Sequence, residues 1–269
     1  MMQQVSTRAG GATIVADVSG GGPCVVMLHA GVADRRQWHG VIEALSPRFR
    51  CIAYDRRGFG LTSAPDEEFR HIDDLEIILR IHGCQNAHLI GSSQGGRIAI
   101  DYALAYPGNV KSLVLVAPAL SGSPPPPEYP ADIAKLMDEL GGAEAIVDFD
   151  RMNAIEAQLW LDGPLSPGGR VGTTIRDLFL DMNAIALRHQ ALTKELPCEL
   201  ALGNLHRISV PTLVIWGTAD FPHVQQRAQL VSESIPGAER IVMPGLAHLL
   251  DLEEPARFIS AVSGFLVNA

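Results

Sequence analysis

Residues 87–90 are a short apolar run that passes without a linker into Gly91-Ser92-Ser93-Gln94-Gly95-Gly96 and then into a helical pattern over 98–106. A strand that becomes a helix within so few residues has little conformational choice. The turn must be tight, and the side chain at its apex sits on strained backbone, pointing out above the sheet. Glycines at 91, 95 and 96 fit that demand, because a side chain there would meet the neighbouring strand or helix. The spacing Gly-x-Ser-x-Gly alone is a weak signal. Its place between a buried strand and a helix makes Ser93 a candidate nucleophile, against the plainer reading of a glycine-rich helix start with a capping serine.

The same alternation runs through most of the chain. Short extended runs at 5–8 and 13–18 flank Gly10-Gly11, a hairpin signal. Continuous apolar runs follow at 24–29, 50–54, 112–117, 212–216 and 240–243, as buried parallel strands require. Between them lie helical patterns, such as Ile72, Leu75, Ile78, Leu79 and His82 on one face, and later segments over 224–234 and 255–267. Strands alternating with helices predict an α/β fold with a mostly parallel central sheet of about eight strands, flanked by helices on both faces. From about 119 to 205 no buried strand is recognisable. That stretch opens with Pro124–Pro127, a stiff extended spacer, and continues with helical patterns over 130–140, 143–161, 173–191 and 199–208. It reads as a helical lid inserted after the sixth strand, so the expected division is a core of 1–118 and 206–269 with a lid of 119–205.

Composition narrows the partners. With 47% hydrophobic and 19% charged residues the chain is globular, and its formal net charge of −9 speaks against nucleic acid. No apolar span of membrane-crossing length is present, and no charged start followed by an apolar stretch marks a secretory signal, so the expected location is cytoplasmic. The four cysteines, 24, 51, 84 and 198, contain no close-spaced pair, and Cys24 and Cys51 read as buried small hydrophobes. Seven histidines other than those at 29 and 248 lack paired metal spacing; no metal and no cofactor are expected.

A serine hydroxyl needs a base, and the base needs a carboxylate to hold its tautomer. Here the motifs resemble those of the α/β-hydrolase superfamily over the whole length of the chain. The resemblance implies the chain order Ser, Asp, His. The acid is then expected after a late strand, where Gly217-Thr218-Ala219-Asp220 follows 212–216, and the histidine after the last strand, where Met243-Pro244-Gly245-Leu246-Ala247-His248 stands. Asp251 is a rival acid, expected to serve structure. The family's His-Gly-x loop is matched by His29-Ala30-Gly31-Val32, with Ala30 in the usual glycine position. It implies an oxyanion hole from the backbone N–H groups of Gly31, with Val32 as runner-up, and of Gln94, which also opens a helix. His29 is expected to hydrogen-bond within the loop. Asp55-Arg56-Arg57-Gly58-Phe59-Gly60 resembles the family's D-x-R-G-x-G turn and is expected to hold that loop, with the pocket rim as the alternative place for its arginines.

The resemblance therefore implies a serine hydrolase, a carboxylesterase or lactonase, acting on a small ester or lactone through an acyl-enzyme. Ser93 argues against the dehalogenase and epoxide-hydrolase chemistries, which use an aspartate at that turn. Carbon–carbon bond hydrolysis, a ligand-binding receptor and cofactor-free oxygen chemistry stay open as alternatives. Trp160, Phe179 and Met182 are the candidate pocket wall, although the same residues at helical spacing fit a lid core equally well. A monomer and a homodimer are equally compatible with the sequence.

Overall fold

Each apolar run anticipated above becomes a strand, because a β-branched or aliphatic stretch of five to eight residues can bury both of its faces only inside a sheet. The computed structural model describes residues 1–126 and 128–269. Its strands are β1 Gln3–Ala9, β2 Ala12–Ser19, β3 Cys24–Leu28, β4 Arg50–Tyr54, β5 Ala87–Ser92, β6 Val110–Val116, β7 Thr212–Gly217 and β8 Glu239–Met243. They form one eight-stranded sheet in the order β1-β2-β4-β3-β5-β6-β7-β8. The β1–β2 and β2–β4 pairings are antiparallel and all the others parallel.

The helices are α1 His39–Leu45, α2 His71–Ile81, α3 Gln94–Ala105, α4 Ala131–Ala145, α5 Phe149–Glu156, α6 Thr173–Arg188, α7 Pro222–Ser234, α8 Leu250–Glu253 and α9 Pro255–Asn268. Helices α2, α3 and α7 cover one face, where Leu75, Ile98, Ile100 and Val231 pack on Val26, Leu89 and Leu113. On the other face α1 and α9 place Ile42, Phe258 and Val262 against Met27, Ile90 and Ile215. Strand order reverses between β3 and β5, so the loops leaving these two neighbours open side by side at the carboxyl edge of the sheet. This is where α/β sheets hold their ligands.

Between β6 and β7 the chain leaves the sheet for α4, α5 and α6. A π-helical stretch, Ala157–Asp162, extends α5 and stops at Gly163, whose φ of 94° no continuing helix adopts. The sequence patterns differ from the structure in two places here. The expected helix over 143–161 is interrupted after α4, where Val147 turns to a φ of 58°. The expected helix over 199–208 is irregular apart from a single 3-10 turn, Leu205–Arg207. Its backbone is held instead by the Ser121 hydroxyl and carbonyl, which accept from Ala201 N and Leu202 N. Pro127, last residue of the expected stiff spacer, lies outside the described residues.

Cys24 departs from its expected role as a buried small hydrophobe, since it is bonded to Cys84, 60 residues away; Cys51 is free and buried. The pair ties the start of β3 to the loop before β5, a contact between neighbouring strands that linear spacing does not reveal. Closing a loop of that length restricts the unfolded chain by about 4 kcal/mol on a chain-entropy basis. Cys24→Ser is therefore expected to lower unfolding stability by about that amount in a urea titration under oxidising conditions. An unchanged midpoint would mean that the link is not formed in solution.

Candidate active site

The turn after β5 is as tight as the sequence requires. A Cβ on Gly91 would stand 2.4 Å from the Gly95 carbonyl oxygen, and one on Gly95 would stand 2.2 Å from that of Leu28. Only hydrogen fits at either position, so β5 can pass into α3 without a connecting loop. Ser93 at the apex has φ 51° and ψ −113°, a region that costs a non-glycine residue on the order of 1–3 kcal/mol. The strain is held by bonds on both sides: Ser93 N donates to Val116 O at 2.8 Å, and Ser93 O accepts from Ala119 N at 2.9 Å.

Asp220 and His248 arrive from the loops after β7 and β8. The carboxylate oxygen Asp220 Oδ2 accepts from His248 Nδ1 at 2.6 Å, and Asp220 Oδ1 accepts from Phe221 N at 2.7 Å. Since a carboxylate only accepts, the shared proton sits on Nδ1 and the lone pair of Nε2 faces away from Asp220. Both side chains are buried. The loop that carries His248 is set by a close approach, Ala219 N donating to Leu246 O at 2.8 Å. Ser93, Gln94, Gly31, Val32, His248, Trp160 and Glu156 line one cavity of about 240 Å3. The structure thus brings together, from four segments, the backbone and side-chain groups expected for the catalytic step. Among the described residues the Ser93 hydroxyl makes no hydrogen bond to His248, a contact that often tightens only with substrate present.

Gln94 is the first residue of α3, so its N–H has no intrahelical acceptor. Gly31 N likewise donates to no acceptor among the described residues. The loop between them is fixed from beneath. Ala30 N donates to Gln37 Oε1 at 3.0 Å, and Gln37 Nε2 donates to Asp251 Oδ1 at 3.0 Å. His29 bonds within the loop as expected: its Nδ1 donates to Ala30 O at 2.7 Å, while its Nε2 accepts from Arg56 N at 3.1 Å. Burial, followed by the charge of Arg56, holds its pKa well below the ordinary imidazole value. Arg57 is fastened to Asp74 and Glu67, each at 2.8 Å, so it serves the turn.

Asp251, the rival acid in the sequence, supports the loop after β3 through Gln37. Desolvation pushes its pKa up to about 7, against the hydrogen bond from Gln37. Between about pH 4 and 7 the folded protein therefore keeps a proton that the unfolded chain releases, and this carboxyl lowers stability progressively as pH rises through that window. Asp251→Asn keeps an acceptor for Gln37. It is expected to match the wild type near pH 4 and to exceed it at pH 8 by on the order of 1 kcal/mol or more in urea unfolding. A difference that stays constant with pH would contradict this.

The candidate pocket wall divides. Trp160 stands over the site, its ring centroid 4.7 Å from that of His248 and 4.6 Å from that of Phe221. Asp162 anchors this segment by accepting from Gly169 N at 2.9 Å and Val171 N at 3.0 Å. Phe179 and Met182 are placed elsewhere. Both are fully buried among Ala30, Ala33, Leu161 and Leu249, so they glue α6 to the loop after β3 and do not face the cavity. In their place the structure brings Glu156, whose carboxylate accepts from Asn183 Nδ2 and whose pKa is raised by burial. A glutamate on a mostly polar helix carries no sequence signal for that position.

Comparison with known proteins bears on the family and the fold. A family model described as the alpha/beta hydrolase fold matches residues 23–255. A carboxylesterase, YbfK of Bacillus subtilis (strain 168), is 26% identical over 97% of this chain and 86% of its own length. Among solved structures, carboxylesterase CesB (YbfK) from Bacillus subtilis superposes with a TM-score of 0.77 at 22% identity, over 100% of this chain and 93% of that one. An N-acyl homoserine lactone degrading enzyme superposes with a TM-score of 0.75 at 22% identity, over 97% of this chain and 100% of that one.

Proposed function

The chain belongs to the alpha/beta hydrolase fold family, and from that premise we propose that it is a serine hydrolase of carboxylic ester-type bonds, a carboxylesterase or lactonase. The observation that carries the reading is the buried His248–Asp220 pair at 2.6 Å, on the same cavity as a strained Ser93 and two amides without acceptors. A fold that needed only to bind a ligand would have no use for all of these together.

In the proposed reaction His248 Nε2 takes the proton of Ser93 as Oγ attacks the carbonyl carbon. The electron pair moves onto the carbonyl oxygen, which the N–H groups of Gly31 and Gln94 stabilise, the latter aided by the dipole of α3. Collapse of this intermediate breaks the bond to the alkoxy oxygen, which leaves with the proton from His248. Water, activated by the same imidazole, then attacks the acyl-enzyme and frees the acid. Asp220 holds the ring in the tautomer that leaves Nε2 unprotonated. The segment 119–205 acts as a lid over the core of 1–118 and 206–269, with Trp160 as its contribution to the pocket roof. A cavity of about 240 Å3 favours short acyl groups over long chains.

A panel of 4-nitrophenyl esters from acetate to decanoate, together with short lactones, tests the reading. Turnover that peaks at short chain length supports it, and no hydrolysis of any ester or lactone by the folded protein retires it. Among the described residues no helix is long and apolar enough to cross a membrane. For location, the Cys24–Cys84 disulfide favours an oxidising compartment over the cytoplasm expected from the sequence, since such bonds seldom persist in the cytosol.

A further inference from the structure

Arg56 is the residue of the β4 turn to which the reaction gives no task. It is 1% exposed, yet among the described residues no carboxylate pairs with it. Its guanidinium donates to two neutral oxygens, Gln94 Oε1 at 3.1 Å and Ala30 O at 3.2 Å. One face lies 4.3 Å over the Phe59 ring, and the Nε proton has no acceptor. A buried cation without a counterion is costly to maintain. Desolvation accordingly draws its pKa down to about 10.

Arg56 lines a second cleft of about 400 Å3, which adjoins the nucleophile's cavity at Gln94, a residue common to both. The end of α6 and the chain after it, including His189 and Gln190, form the opposite wall. The acidic residue lining this cleft, Glu195, is already taken up by Arg97 at 2.9 Å. Gln94 itself is exposed. Its amide lies over Gly31, where an added Cβ would meet Nε2 at 2.7 Å, and its oxygen rests on Arg56. A carboxamide is the planar, neutral counterpart of a carboxylate. Here it occupies the place beside the guanidinium that an anion would take with a stronger, charge-assisted bond.

We propose that this cleft is a subsite for a carboxylate carried by the substrate, with Arg56 as its anchor and the Gln94 side chain as the placeholder that the carboxylate displaces. The inference rests on the hydrolase reading and narrows it to esters or lactones with a free acid a short linker away from the scissile carbonyl. A planar carboxylate matches the geometry of the amide it replaces.

The test compares kcat/KM for 4-nitrophenyl hydrogen glutarate and hydrogen adipate with that for the neutral 4-nitrophenyl pentanoate and hexanoate. The wild type is expected to prefer the acid-bearing member of at least one pair by about tenfold or more, the effect of one added charge-assisted contact. Arg56→Met is expected to reduce that ratio at least about tenfold, Arg56→Lys to restore part of it, and Gln94→Ala, which keeps the backbone N–H, not to lower it. A wild-type ratio at or below one, or a ratio unchanged in Arg56→Met, overturns the subsite while leaving ester hydrolysis intact. If Arg56→Met does not fold, the wild-type ratio and Arg56→Lys still decide. If the wild type hydrolyses neither ester type, the hydrolase reading fails separately. Calorimetric titration of glutarate then tests the anchor alone: binding to the wild type that Arg56→Lys weakens supports it, and no binding overturns it.

Discussion

Ser93→Ala is expected to lower kcat on any ester the wild type hydrolyses by about a thousandfold or more, with the fold unchanged. The residual rate would come from binding and the two amides alone, since neither the Gly31 nor the Gln94 backbone is touched by the substitution. Structural damage is not an alternative explanation for so large a loss. The substitution removes one hydroxyl from a residue already tolerating φ 51°, and that hydroxyl caps no N–H of α3. Measured by steady-state kinetics beside a circular-dichroism melt, a variant with near wild-type turnover would remove Ser93 from the reaction. It would also move cofactor-free chemistry on His248 to the front.

Asp220→Asn is expected to lower kcat by about a thousandfold to ten-thousandfold with little change in secondary structure. An asparagine at this position can donate through its amide to Nδ1, which would place the ring proton on Nε2 and block it as a base. The effect separates Asp220 from the other acid nearby. Asp251, three residues beyond His248, bonds Gln37 and not the imidazole, so the two carboxylates have different work although the sequence offered both. A kcat within tenfold of the wild type in Asp220→Asn would shift the acid's role elsewhere.

The fold was legible because its signals are local. Parallel strands buried on both faces must be continuous apolar runs, and β3 to β7 were visible as such, including β3 and β7, whose following loops carry Gly31 and Asp220, while β1 and β2 showed as short extended runs around Gly10-Gly11. The proposed triad was legible for a related reason. Each member sits directly after a strand, at a distance along the chain set by backbone geometry. What the sequence did not reveal depends on contacts between distant segments. Cys24 and Cys84 meet because β3 and β5 are neighbours, a fact of strand order and not of spacing. Phe179 and Met182 have the hydrophobicity of a pocket wall, but the rotation of α6 decides that they face Ala33 and Leu249. The Gln37–Asp251 support crosses 214 residues. Arg56 and Arg57 are identical side chains in adjacent positions, and only Asp74 and Glu67, placed beside one of them, separate a turn clamp from an unpaired cation.

Covalent labelling with a small fluorophosphonate, followed by peptide mapping, tests the central claim without a guess at the substrate. A serine activated by His248 and backed by two free amides is predicted to react rapidly and at one position, Ser93, with labelling abolished in His248→Ala. Absence of modification at Ser93 in the folded protein, or labelling that persists unchanged in His248→Ala, would contradict an activated nucleophile.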